Sequence, residues 1–286
     1  IAGTADFGGK SITLKSDANG TASIGQVTGT VTGATNVTVE RYITGRRAFR
    51  FLTPSVTTTT SIKANWQNGG ATTLGIGTHI TGSTTGANGF DQTISGNPSL
   101  ATYNAQIASG TGFVNATNTD MATSKAVFGY SVLYRVDRNV DLNASSGVDM
   151  NVPTTLSANG TLTTGTVTIE SSAGSPTPIN NNPTNTRTNG YTLIGNPYAS
   201  PVDWHTVTKT GVANNAYYTW DPRLGTAAQR GRYVVYTVDD NGVGNTNVLL
   251  PSDGTLVTSD RQYLQTGQAV FIKNTDLTVP ATLTFN

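Results

Sequence analysis

The chain has 286 residues, of which 12% are charged, with a formal net charge of +1 and no cysteine. That length buries a core, as one large β domain or two smaller ones. The lack of cysteine excludes disulfides and Cys-based metal sites, the near-zero charge gives no ground for a nucleic-acid or membrane-surface partner, and no run of about 18 apolar residues is present to span a bilayer as a helix.

Gly is abundant, at 32, and the only two Glu are Glu40 and Glu170. β-branched and turn residues outweigh strong helix formers. The composition predicts an all-β chain, a β-sandwich or jelly roll, or two packed sandwiches, with at most one or two short helices. It suits an extracellular wall or fibre protein better than a cytosolic enzyme. The first residue is Ile1, so either a leader has been removed or the chain is part of a longer one.

"IAGTADFGGKSITL" opens with a small, Gly-rich arm before the first alternating run. "KSITLKSDANGTASIGQV" reads as a hairpin turning at Asn19-Gly20, which tolerates positive φ. "ATNVTVERYITGRRAFRFLTP" reads as a second hairpin. Val37, Val39, Arg41 and Ile43 share one face by parity, and Phe49 and Phe51 share a face of the partner. "SIKANWQNGG" is the best short helix, with Ile62 and Trp66 at i and i+4 facing the core and Gly69-Gly70 as its stop.

The segment from Gly75 to Asn104 is too rich in glycine for regular structure and reads as loops around short strands. "AVFGYSVLYRVDR" is a nearly continuous apolar and aromatic run, hence a central strand. "GTLTTGTVTIESSAGS" alternates through Val167 and Ile169. The polar loop "SPTPINNNPTNTRTNG" then divides an N-terminal β region, 1–175, from a C-terminal β region, 176–286, unless the two are one continuous domain. Beyond it, "YTLIGNPYASPVDW", "AYYTWDP", "GRYVVYTVDD", "QYLQTGQAVFIKN" and "ATLTFN" are short strands at sandwich or jelly-roll spacing.

The densest stretch is "GYTLIGNPYASPVDW", Gly190 to Trp204. A strand stops at Asn196-Pro197, because Pro197 pushes Asn196 out of the helical region and the Asn side chain fixes a turn. Tyr198 and Trp204 are then available as packing anchors for a corner.

Asp203 and His205 alternate about Trp204, which offers an acid–base pair or two metal ligands, against a hydrogen-bonded strand end. His79 sits in the Gly-rich "GTHITG", where a loop His bonded to backbone is expected. Arg41, Arg46, Arg47 and Arg50 cluster with Tyr42, Phe49 and Phe51. Their stems are expected to cover aromatic surface while their heads pair with the few carboxylates. "DANG" and "DDNGVGN" carry calcium-like spacing, and Asp239, Asp240, Asn241 and Asn245 form the one calcium candidate, against a plain hairpin turn. No pair of carboxyls is placed as a glycosidase requires, and no catalytic residue is assigned. Tyr217, Tyr218 and Trp220 in "AYYTWDP" are candidates for stacking on sugar rings. Ile1, Phe7 and Ile12 are candidates for assembly: an arm that adds a strand to a neighbour makes a head-to-tail contact, and that contact builds a filament or sheath.

"LIGNPYASPVDW" resembles the "LIGNPYxSPIDW" signature of a module common in large surface proteins of Bacteroidetes. The landmarks "VERYITGRRAFRFLTPSV", "IKANWQNGG", "GIGTHITG", "GFD", "GTLTTG", "YYTWDP", "GRYVVY" and "GQAVFIKN" occur in the order of that family, from about Ser11 to Lys273. The resemblance implies an exported, adhesin-like cell-surface module, typically secreted by the type IX route, with no assigned catalytic residues. The function classes open at this point are a non-enzymatic extracellular structural or adhesive module that self-associates or contacts other surface proteins, and a carbohydrate-binding module with glycan partners.

Overall fold

The computed structural model describes residues 1–106, 111–144, 149, 151–172, 179–181, 183, 190–224, 231–238, 244–245 and 262–286. Among these the chain is all-β, and its only helical pieces are single 3-10 turns such as Asn68–Gly70. No helix among the described residues is long and apolar enough to cross a membrane.

Two sheets build the first half. One runs Ile12–Leu14, Val37–Ile43, Thr154–Leu162, Val56–Thr58, and only its first pairing is parallel. The other is antiparallel and runs Phe113–Asn115, Leu100–Tyr103, Tyr130–Leu133, Phe49–Leu52. Strict alternation along Thr154–Leu162 turns Leu156, Ala158 and Leu162 inward. Ile43 and Leu156 of the first sheet share a core with Leu52, Leu100, Tyr130 and Val132 of the second, so the two stack as a sandwich.

The second half repeats the scheme. A five-stranded antiparallel sheet runs Tyr191–Gly195, Ala269–Lys273, Tyr217–Asp221, Arg232–Val238, Gly244–Asn245. It packs on Val167–Glu170, Thr282–Phe285, Thr208–Thr210 through Ile169, Ile194, Trp204, Tyr217, Val270, Leu283 and Phe285. Val167–Glu170 therefore belongs with the C-terminal strands, and the two sheet systems part between Leu162 and Val167 rather than at 175. The halves meet at the bridges Leu52–Gln268 and Phe128–Ile194, and Thr53 N donates to Gly267 O at 3.0 Å.

Three local expectations change. Val37–Ile43 and Phe49–Leu52 do not form a hairpin: the first pairs with Thr154–Leu162 and the second with Tyr130–Leu133, in different sheets. Alternation names a strand's faces but not its partner. Ser16–Asp17 and Gly20–Thr21 do form a tight antiparallel hairpin, but Ile12–Leu14 leaves it to pair in parallel with Val37–Val39. The segment around Ile62 is a series of turns rather than a helix, and Ile62 and Trp66 are nonetheless both buried. Tyr130–Leu133 is shorter than its apolar run, and it lies inside its sheet as the run predicts.

Candidate functional site

Strand Tyr191–Gly195 ends at the corner that Asn196 fixes. Asn196 is fully buried, and its Nδ2 donates to Ser200 O at 2.8 Å, Leu264 O at 3.0 Å and Gln265 O at 3.2 Å. Its Oδ1 accepts from Tyr198 N at 3.0 Å, which makes the turn. Tyr198 OH donates to Gly165 O at 2.6 Å with Phe285 O 3.1 Å away, and burial pushes its phenol up to about 12. Trp204 is 0% exposed, donates Nε1 to Asn215 O at 2.7 Å and meets Tyr217 edge-on at 5.5 Å. Lys209 Nζ lies 4.8 Å over the indole and donates to Trp204 O; burial lowers it to about 8 against the opposing pull of Asp203. The stretch is thus a tie between strands, made of side chains that end on main-chain carbonyls.

Asp203 and His205 do not form a ring-to-carboxylate pair. Asp203 Oδ1 accepts from the backbone N of His205 at 2.9 Å, and Oδ2 accepts from Gln262 Nε2 at 2.9 Å. The imidazole stacks on Tyr236 and shares a 2.6 Å hydrogen bond with its hydroxyl. Among the described residues no group of three or more metal-ligating side chains comes together.

"AYYTWDP" splits by parity. Tyr217 is 1% exposed and faces the core with Trp204 and Tyr236, so in this fold it has no face to offer a sugar. Tyr218 and Trp220 point the other way, half-buried, into a second aromatic group. Phe271 is its centre, with ring centroids of Tyr103, Phe51, Phe113, Tyr191 and Tyr233 at 4.7, 5.2, 6.0, 6.2 and 6.5 Å. Tyr218 stands at 81° to Tyr191 and Trp220 at 84° to Tyr233, so the rings interlock edge-to-face and form no flat platform. Burial pushes the Tyr103 and Tyr218 phenols up to about 12. Tyr233, 48% exposed, forms part of its rim. Sequence reasoning picked out Tyr218 and Trp220 but missed Tyr103, Tyr191, Tyr233 and Phe271. These come from strands far apart in the chain, and no local pattern announces their meeting.

The charged side chains brace loops. Asp91 accepts from both terminal guanidinium nitrogens of Arg138, at 2.6 and 2.7 Å, and from Gln67 Nε2 at 3.1 Å, with His79 Nδ1 at 3.6 Å. Burial pushes the Asp91 carboxyl up, but the neighbouring His79 ring and the hydrogen bonds and charge of Arg138 hold it well below the usual carboxylate range. His79 Nε2 donates to Val140 O at 2.8 Å, the loop histidine bonded to backbone that was expected. The N-terminal arginines depart from expectation. Arg50 does stack on Tyr134 at 4.9 Å, but Arg41, Arg46 and Arg50 donate to main-chain carbonyls rather than to carboxylates.

The arm docks on its own chain. Thr4–Asp6 pairs in parallel with Thr30–Thr32 as a separate two-stranded sheet, and Thr28 N and Gly29 N both donate to Ile1 O at 3.0 Å. A Cβ on Gly29 would lie 2.1 Å from Gly3 O, so the fit requires glycine there. Ile1 is 40% exposed, Phe7 packs on a separate cluster of Val37, Val39, Val56 and Ala158, and Ile12 is half-buried in the strand beside Val37. In "DANG", Asp17 Oδ1 accepts from Asn19 N and Gly20 N, a plain turn. The calcium candidate lies outside the described residues at Asp239, Asp240 and Asn241, and only the backbone of Asn245 is described, in a short strand pairing with Thr237–Val238. No protein-family model, curated protein or solved structure matches the chain.

Proposed function

We propose that this chain is a non-enzymatic structural or adhesive module of an extracellular, cell-surface protein, exported by the type IX route as in the Bacteroidetes proteins it resembles. The observation that carries this reading is the fate of the signature stretch. Asn196, Tyr198 and Trp204 spend their hydrogen bonds on carbonyls of segments near residues 165, 200, 215, 264 and 285. A cysteine-free surface module needs such ties, because nothing covalent holds its sheets together. Self-association then follows by exchange of the arm: the Thr4–Asp6 pairing now made within the chain is made instead with Thr30–Thr32 of a second copy, with Ile1, Phe7 and Ile12 carried along. Deletion of Ile1 to Gly9 tests this. Filaments in negative stain for the full chain and folded monomers for the deletion are the expected pair. Filaments that survive the deletion, or a full chain monomeric at high concentration, reject arm exchange.

The carbohydrate-binding reading is favoured by a different observation, the half-buried aromatics Tyr218 and Trp220 beside Tyr103, Tyr191 and Tyr233. The edge-to-face interlock suits a single glycan chain at the rim rather than a flat crystalline polysaccharide, and calcium enters only through the candidate ligands Asp239, Asp240, Asn241 and Asn245. Retention on immobilised glycans that Trp220→Ala abolishes would put this reading first.

A further inference from the structure

An Asn-Gly pair is a chemically weak point in a polypeptide. The backbone nitrogen of the glycine can attack Cγ of the asparagine side chain. Ammonia leaves, a succinimide ring closes, and water opens it to aspartate or to isoaspartate, in which the main chain runs through the side-chain carbon. Glycine permits the attack because no Cβ crowds its nitrogen. Among the described residues such pairs stand at Asn19, Asn68, Asn88 and Asn159, and the fold treats them differently.

Three of the four are held away from the reaction. Asn159 lies in Thr154–Leu162 with a strand on either side, and its Nδ2 donates to Asn36 Oδ1 and Thr38 Oγ1, both at 2.9 Å. Asn68 and Asn88 are left-handed, at φ 49° and 59°. That conformation sets Cβ beside the residue's own carbonyl oxygen, which leaves the next nitrogen on the far side of the chain from the side chain. The attacking groups are restrained as well. Gly69 N donates to Lys63 O at 2.8 Å, and Gly89 is buried so tightly that a Cβ there would lie 2.6 Å from Asp120 N, which leaves no room for a ring.

Asn19 and Gly20 are both exposed, at the tip of the hairpin that pairs Ser16–Asp17 with Gly20–Thr21, and neither is left-handed. Among the described residues the Asn19 side chain makes no hydrogen bond. A Cβ on Gly20 would meet nothing within 4 Å, so a ring and a water molecule both fit. The restraint is Asp17 Oδ1, which accepts from Asn19 N at 2.7 Å and more loosely from Gly20 N at 3.2 Å. We propose that Asn19 is a site of spontaneous modification, converted through attack of Gly20 N on its Cγ to aspartate and isoaspartate. The new carboxylate cancels the formal net charge of +1 and stands beside Asp17. Isoaspartate also lengthens the main chain inside a tight turn. Ser16 carries the change inward, because its Oγ accepts from Tyr42 N at 2.9 Å and its N donates to Glu40 Oε2 at 3.0 Å, both on strand Val37–Ile43.

The test keeps the full chain at mildly alkaline pH, folded in buffer and unfolded in guanidinium chloride, and follows the four pairs by proteolytic digestion and mass spectrometry, with isoaspartate separated from aspartate by chromatography. Unfolded, all four should convert at similar rates. Folding should slow Asn68, Asn88 and Asn159 by roughly tenfold or more, since each must first give up hydrogen bonds or its backbone conformation, while Asn19 stays within roughly threefold of its unfolded rate. Gly20→Ala should fold as the wild type does, because the new Cβ meets nothing, and should suppress conversion at Asn19 by crowding the attacking nitrogen. An Asn19 slowed by folding as strongly as the other three overturns the site, and so does conversion as fast in Gly20→Ala as in the wild type.

Discussion

Truncating Trp204 to alanine tests whether the signature stretch is a structural tie. The indole is fully buried, and its Nε1 satisfies Asn215 O at 2.7 Å. Removing a buried Trp or Phe ring costs about 3–5 kcal/mol in transfer and cavity terms. A half-buried carbonyl left without a donor, here that of Asn215, adds about 1 kcal/mol. Trp204→Ala should therefore lose about 4–6 kcal/mol. Urea unfolding followed by far-UV circular dichroism reads this as a midpoint lower by roughly 1.3–3 M, for a slope of about 2–3 kcal/mol per M. Trp204→Phe separates the terms: it keeps most of the ring and loses the hydrogen bond, and should cost about 1–2 kcal/mol. An unchanged slope with a Trp204→Ala midpoint within about 0.3 M of wild type would refute the reasoning. Native stability together with lost ligand binding would instead make the segment a binding site.

Asp91→Asn should cost about 3 kcal/mol at pH 7, because it leaves Arg138 buried without its counter-charge. Since the folded-state carboxyl sits well below its unfolded value, its stabilisation is present above about pH 4 and fades as the pH falls further. The unfolding curves of the wild type and of the Asp91→Asn variant should converge in acid, and a gap constant down to about pH 2 sinks the assignment. Gly29→Ala should push the arm off its seat, since the new Cβ meets Gly3 O. Amide exchange at Thr30 and Phe7 should speed up with little change in the global midpoint, and unchanged protection would show that the arm fits some other way.

The fold class and the inward faces were legible in the residues alone. Alternation placed Val37, Val39 and Ile43 inward, the i to i+4 spacing placed Ile62 and Trp66 in the core without the helix it suggested, and Asn196-Pro197 fixed the corner. These signals are local: side-chain parity and turn chemistry act over a few residues, and the fold inherits them directly. Which elements meet was a matter for the assembled chain. Val37–Ile43 and Phe49–Leu52 look like hairpin arms in the sequence, yet they lie in opposite sheets. "AYYTWDP" reads as one aromatic platform, yet its pleat sends Tyr217 into the core and Tyr218 and Trp220 into the group around Phe271. Asp91 and Arg138 are 47 residues apart and Arg41 and Thr266 are 225 apart. No periodicity encodes such meetings. Each is set by how two sandwiches stack, through burial summed over residues that the sequence holds far apart.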